Sequence, residues 1–185
     1  CGDGMEIRTD SEEAKKARAE VMEFLLINHP LDCPICDQAG ECTLQEYSFE
    51  HGQDKSDFDE QKVHKSKRIE FSDKITYDGE RCILCTRCVR FAEEIGGDEQ
   101  LCVVERGDHG EIAVAMGDTY DHPYSMNVID LCPVGALTST DFRFKTRVWF
   151  LKDTPTTCGS CARNCSITVG TRWDKIQRFE PRENP

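Results

Sequence analysis

HPLDCPICDQAGEC, residues 29–42, places one histidine and three cysteines within fourteen residues. Ordinary core packing does not need that arrangement. His29, Cys33, Cys36 and Cys42 follow H-x3-C-x2-C-x5-C, so four soft or borderline donors can converge from one tight loop onto a single inorganic centre. Pro30 and Pro34 stiffen the loop, and Gly40 lets it turn. Thiolates with one imidazole suit zinc or an iron-sulfur cluster, whereas calcium and magnesium want oxygen. Spacing alone leaves zinc open.

The chain around this stretch is 185 residues long, 38% hydrophobic, with twelve cysteines and a formal charge of -12. Its mean hydropathy of -0.57 favours small subdomains built around loops and ligands over one large apolar core. The acidic balance is a poor match to phosphate backbones or anionic lipid and fits a protein partner better. No apolar run approaches the length of a membrane span, and CGDGMEIRTD at the start lacks the layout of a secretion signal. That opening, without an initiator methionine, reads as part of a longer polypeptide. Nine of the twelve cysteines fall in three close triplets, which is how metal sites look in reduced compartments; six disulfides are the weaker reading.

Upstream of His29, Asp10 and Ser11 are natural N-caps. Glu12 and Glu13 suit the positive end of a helix dipole, and Ala14, Ala17, Val21, Phe24 and Leu25 recur at helical spacing. A helix over 11–27 follows, stopped by Pro30, with His29 just past its end. Residues 41–49 suit a short helix. Residues 51–68 are almost wholly polar and read as a solvated loop, with His51 and His64 exposed and unliganded. Residues 69–77 alternate weakly as a short strand, and Asp78-Gly79 is a turn signal.

Cys82, Cys85 and Cys88 form C-x2-C-x2-C. Zinc ribbons pair two separate C-x2-C knuckles, but three cysteines at successive three-residue steps can wrap a chain around three corners of a cubane. A helix over 86–95, ended by Gly96-Gly97, then points its amino end at the site. The fourth thiolate of such clusters often precedes a proline, and the one cysteine-proline step outside the first loop is Cys132-Pro133. The economical pairing is Cys82, Cys85, Cys88 and Cys132, with the 43 residues between Cys88 and Cys132 as an insertion. Within it, residues 101–105 and 111–116 read as strands, and Cys102 as a small structural hydrophobe. From Phe142 onward the pattern is strand-like. Cys158, Cys161 and Cys165 make a third set, C-x2-C-x3-C, followed by a hairpin of 166–171 and 175–179 around Trp173-Asp174. The Asn164-Cys165-Ser166 sequon and the Arg106-Gly107-Asp108 tripeptide both require an extracellular protein and are discounted.

NHPLDCPICDQAGECTLQ, RCILCTRCVRFAEEI and IDLCPVGALTS, in this order, resemble the large iron-sulfur subunit, the G subunit, of respiratory NADH:quinone oxidoreductase, complex I. The resemblance covers residues 4–182. It implies a 4Fe-4S cluster on His29, Cys33, Cys36 and Cys42, and a second on Cys82, Cys85, Cys88 and Cys132. It further implies a 2Fe-2S domain ahead of residue 1, with no ligand role for Cys1. Cys158, Cys161 and Cys165 resemble the start of a molybdopterin-oxidoreductase type of iron-sulfur domain, whose fourth cysteine would lie past Pro185; some family members have lost that cluster.

The expected fold is therefore α+β, with short helices and small sheets around cluster loops. Residues 1–68 hold the site of one histidine and three cysteines, 69–150 the four-cysteine site in a ferredoxin-like unit, and 151–185 open a third. No Gly-rich phosphate cradle, Ser/His/Asp set or paired-carboxylate site is evident. The expected function is an electron relay from an NADH-oxidising flavin subunit toward a quinone-reducing one. Its partners are other complex I subunits, with no nucleic acid and no direct membrane insertion. The expected location is the cytoplasmic face of a bacterial inner membrane, with the mitochondrial matrix side as the alternative. Two rival readings remain: the diaphorase iron-sulfur subunit of an NAD-reducing hydrogenase or an iron-only hydrogenase, and a zinc-stabilised interaction module.

Overall fold

Residues 2–115 and 119–183 are described by the computed structural model of the chain. Cys1 and the Met116 end of the expected second strand lie outside them. Among the described residues, four α-helices and eight strands are interspersed along the chain, and the strands form three separate antiparallel sheets, so the α+β expectation holds.

Helix α1, Glu12–Leu26, starts where Ser11 Oγ accepts the Ala14 N–H at 3.2 Å and carries Glu12 and Glu13 in its first turn. Its apolar face differs from the expected one. Met22 is buried and Leu25 and Leu26 pack on the core, while Val21 and Phe24 are exposed. The reason is tertiary: α2, Thr43–His51, lies against α1 and presents Leu44 to the core. The polar stretch 52–63 is strapped to α1 rather than free. Glu23 accepts from Gln53, Ser56 and the Asp57 N–H, and Lys62 donates to the Leu26 and Ile27 carbonyls. His51 is the last residue of α2 and half-buried against Tyr47, not exposed; His64 is exposed beside Glu80.

The expected single strand over 69–77 is instead a tight hairpin. β1, Ile69–Glu70, turns back into β2, Ile75–Tyr77, because Phe71 and Ser72 donate to the Ile75 carbonyl and close the turn. β2 then pairs with β5, Leu137–Ser139, which follows the Cys132 loop, with Tyr77 opposite Leu137. This long-range pairing brings the two halves of the second cysteine set together. Between them, α3, Arg87–Phe91, runs into a π-helical turn, Ala92–Gly96, ended by left-handed Gly97. The strands β3, Leu101–Val104, and β4, Glu111–Val114, form a two-stranded ribbon, and α4, Asn127–Leu131, leads into Cys132. Cys102 on β3 is half-buried, its Sγ 3.7 Å from the Ala113 carbonyl, in keeping with a structural place.

Residues 142–151 are not extended, as the sequence pattern predicts, but form turns and a 3-10 segment, Val148–Phe150. Asp37 explains part of this. The Phe144 N–H donates to both of its carboxylate oxygens at 3.1 Å, and Arg147 donates to the Cys36 carbonyl at 2.6 Å, curling the segment around the first loop. The third sheet, β6, Lys152–Thr157, with β7, Ser166–Arg172, and β8, Lys175–Pro181, agrees with the predicted hairpin; Trp173 and Asp174 both take positive φ at its tight turn.

Two contacts carry testable weight. Tyr77 is fully buried, stacks on Phe71 at 4.8 Å, and its hydroxyl accepts the Ile112 N–H at 3.2 Å, tying the ribbon to the sheet. Gly135 lies so close to the first loop that a Cβ there would run into Cys36 Sγ. Tyr77→Phe leaves the Ile112 N–H unpaired and is expected to cost about 1–3 kcal/mol in denaturant unfolding, with the fold retained. Gly135→Ala is expected to destabilise by about 1–3 kcal/mol through overpacking, read in the same unfolding experiment. Midpoints equal to the parent protein would refute both contacts.

Candidate metal centres

The first donor set is presented by the ends of α1 and α2. The His29 N–H donates to the Leu26 carbonyl at 3.1 Å, fixing the residue just past the helix, as Pro30 requires. Cys42 is the residue before α2, so the Leu44 and Gln45 N–H groups face its thiol and oppose the upward push of burial. The turns of 33–42 close through Cys36 N–H to the Cys33 carbonyl and Ala39 N–H to the Cys36 carbonyl. Gly40 has a φ of +94°, and a Cβ there would meet Val148 and Trp149 side chains at 2.8 and 2.9 Å, so both backbone shape and space require glycine.

His29, Cys33 and Cys42 line one cavity of about 490 Å³ between α1, α2 and the strapped loop. Cys36 faces the 133–135 loop instead, yet lies near enough to Cys33 and Cys42 for their charges to act on one another. The His29 Nδ1 is enclosed and has no hydrogen-bond partner among the described residues. Burial, reinforced by the nearby Lys62 and Arg81 charges, brings the His29 pKa down to about 4. A neutral imidazole with an idle ring nitrogen is the form a metal takes up.

The second set is a tighter nest. Cys82, Cys85, Cys88 and Cys132 line one pocket with Tyr77, Ile112, Val134 and Leu137. The chain wraps at the intervening residues: Leu84 and Thr86 have φ of +53° and +59°, a costly conformation for side chains that carry a Cβ, the more so for β-branched Thr86. This bending turns three thiols to one side. The expected helix start at Thr86 is thus a left-handed corner, and the helix begins at Arg87. The Leu84 N–H donates to Cys82 Sγ at 3.4 Å. Burial pushes the Cys88 thiol up to about 12 and Cys132 to about 11, and neighbouring thiols add to the rise. Such a group of thiols ionises together only around strong positive charge, so the donors fit a metal cluster.

The two sets touch. Cys42 Sγ lies 3.8 Å from the Pro133 carbonyl, one residue after Cys132. The third set sits on residues 158–165, the connection from β6 to β7, closed by the Cys158 N–H donating to the Cys165 carbonyl at 2.8 Å. Cys161 and Cys165 are exposed and Cys158 is half-buried. Hydrogen bonds from Ser160 pull the Cys158 thiol down. All eleven described cysteines are free. No three His, Cys, Asp or Glu side chains among the described residues are gathered closely enough to hold one metal ion.

Sequence reasoning missed the charged groups around these thiols. Asp32, immediately before Cys33, pairs with Arg81, immediately before Cys82, at 3.1 Å, and Lys67 joins Asp32 and Glu80 at 2.7 and 2.6 Å. Two charged residues each preceding the first cysteine of a set were the available signal. Nothing in one sequence joins positions that far apart.

Two family models match: the iron-sulfur binding region of NADH-ubiquinone oxidoreductase-G over residues 18–57, and the ferredoxin-like domain of NADH-quinone oxidoreductase subunit 3 over residues 72–138. The G subunit of NADH-quinone oxidoreductase from Streptomyces coelicolor is 42% identical over 96% of this chain and 21% of its own length. The G subunit from Rickettsia felis is 46% identical over 98% of this chain and 27% of its own. A mitochondrial NADH dehydrogenase [ubiquinone] iron-sulfur protein 1 of Solanum tuberosum is 48% identical over 98% and 24%. Among solved structures, an NAD+-reducing [NiFe]-hydrogenase in the H2-reduced state superposes with a TM-score of 0.69 at 28% identity, over 80% of this chain and 64% of that one. The chain spans about a quarter or less of the length of some of these curated relatives and slightly more of others. It carries 4Fe-4S binding segments, no helix among its described residues is long and apolar enough to cross a membrane, and it belongs to the G-subunit family of NADH-quinone oxidoreductases.

Proposed function

We propose that this chain is an electron relay: His29, Cys33, Cys36 and Cys42 hold one 4Fe-4S cluster, and Cys82, Cys85, Cys88 and Cys132 hold another. The observation that carries the reading is the contact of Cys42 Sγ with the Pro133 carbonyl, which sets the two donor sets edge to edge. When bound, such clusters supply reversible one-electron acceptance and release. The chain does the rest. Buried thiols exclude water, the Leu84 N–H steadies Cys82 Sγ, and a neutral His29 in place of a fourth thiolate removes negative charge from its site, which favours the reduced state there.

Residues 1–68, 69–150 and 151–185 are assigned to the two cluster units and a third, in which Cys158, Cys161 and Cys165 await a fourth ligand from elsewhere in the polypeptide; a 2Fe-2S cluster belongs to the segment before residue 1. Electrons enter from an NADH-oxidising flavin subunit and leave toward quinone through other subunits of the complex, on the cytoplasmic face of a bacterial inner membrane or the mitochondrial matrix side. The likeness to the NAD+-reducing hydrogenase favours a second reading, the diaphorase iron-sulfur subunit of such an enzyme. Higher identity to the NADH-quinone oxidoreductase relatives, and the third cysteine set, support the first.

Iron and acid-labile sulfide analysis of the full-length protein tests the relay against a zinc module. The expected result is about eight of each from the two sites, on top of what any further cluster of the full-length protein adds, with EPR signals on reduction; zinc without sulfide refutes the relay. His29→Ala is expected to remove or convert one cluster while the Cys82 site persists. Full iron content with an unchanged reduced-state spectrum would show that His29 is no ligand.

A further inference from the structure

Arg81 is the largest fully buried side chain among the described residues, only 1% exposed. An enclosed guanidinium is costly unless its donors are matched. Three of its atoms are accounted for. Nε and Nη2 donate to Asp32 Oδ2 at 3.3 and 3.1 Å, Nε also lies 3.3 Å from Asp78 Oδ2, and the backbone N–H donates to Asp78 Oδ1 at 3.3 Å. Nη1 is equally enclosed and has no hydrogen-bond partner among the described residues. An unmatched cationic donor in a native interior calls for an acceptor.

The position of Arg81 narrows what that acceptor is. Asp32 precedes Cys33 and Arg81 precedes Cys82, so the guanidinium lies where the loops of the two donor sets meet. Asp32 and Asp78 occupy its Nε side and leave the Nη1 edge bare. Its backbone adjoins Cys82, but its head group ends on Asp32, next to Cys33, so the guanidinium belongs to the first loop. Arginine suits the task better than lysine, because two carboxylates hold its planar fork still while a third edge stays available.

We propose that Arg81 is a positioning residue that sets the potential of the His29, Cys33, Cys36 and Cys42 site, its Nη1–H donating to a sulfur of the cluster held there. The inference rests on the cluster reading above. Reduction adds an electron to a site already bearing negative sulfur, so a fixed positive charge bonded to that sulfur makes the site easier to reduce. The effect adds to that of the neutral His29 imidazole and bears on one site of the two.

EPR-monitored redox titration of both clusters in the assembled complex tests this, with Arg81→Lys, which keeps the charge and loses the Nη1 donor, and Arg81→Gln, which removes the charge. The midpoint of the His29 site is expected to fall in both. In Arg81→Gln the fall is expected to reach about tenfold in the one-electron equilibrium, about 59 mV. A smaller fall is expected in Arg81→Lys, and the Cys82 site is expected to stay where it was. Unmoved midpoints, equal movement of both sites, or loss of the first cluster from Arg81→Lys would overturn the proposal. Absence of iron from the His29 site in the unsubstituted complex would overturn the cluster reading beneath it, and is seen separately by iron analysis.

Discussion

Crowding thiols into an apolar interior is the constraint on which this structure depends. Cys88 is buried within the main hydrophobic cluster, and Cys82, Cys132 and Cys42 pack against it, beside Tyr77, Leu101, Ile112 and Val134. Desolvation holds Cys88 and Cys132 far above the ordinary thiol range, and each thiolate formed would raise its neighbours further. Four thiolates in this nest therefore require a strongly cationic group among them, and the free energy of binding that group is also folding free energy. For a chain whose apolar content is modest, this is where stability can be found. Leu84 and Thr86 are held in left-handed corners by the packing around them, and a ligand bound in the nest would fix them further.

The two donor sets are built as one object. The β2–β5 pairing carries Cys132 back to the Cys82 loop, and the same return passes Pro133 and Gly135 against Cys42 and Cys36. On the other side the Asp32–Arg81 pair joins the residues just ahead of Cys33 and Cys82. Arg147, reaching the Cys36 carbonyl, and Asp37, receiving the Phe144 N–H, close a third side. Short, fixed contacts of this kind hold the separation between two sites constant, which is what transfer of single electrons between them needs. A flexible linker between two independent ferredoxin-like units would not do so.

Local patterns made the donors legible in sequence, and long-range contacts hid their surroundings. The Ser11 cap, the stop at Pro30, the short helix after Cys42 and the hairpin at Trp173-Asp174 rest on interactions within a few residues, and each lies close to where spacing put it. The buried face of α1 could not be read, because Leu44 of α2 decides it and both candidate faces of that helix carry apolar residues. Residues 142–151 read as extended because Phe142, Phe144, Val148, Trp149 and Phe150 favour strands. Asp37, more than a hundred residues upstream, bends them instead. Cysteine spacing reached the Cys132 pairing since thiols are rare and their steps stereotyped. Charged residues are common on any acidic chain, so Arg81 and Asp32 carried no comparable mark.

The third cysteine set obeys a different logic from the first two. Its residues ride on the tip of the β6–β7 hairpin, largely exposed, with Ser160 donors lowering the Cys158 thiol rather than burial raising it. The base of that sheet is fixed: Arg178 grips Glu41 through two bonds of 2.8 and 2.9 Å, one residue before Cys42. The Cys158 thiol is thereby the more readily ionised, and the strands beneath the tip are complete without a ligand. A ligand at this position would therefore be only weakly coupled to folding of the described residues, whereas in the Cys82 nest its binding would have to drive the ionisation of thiols that burial keeps neutral. A site of the first kind can stand empty without disturbing the sheet beneath it, whereas one of the second kind is enclosed by Tyr77, Ile112, Val134 and Leu137 of the core.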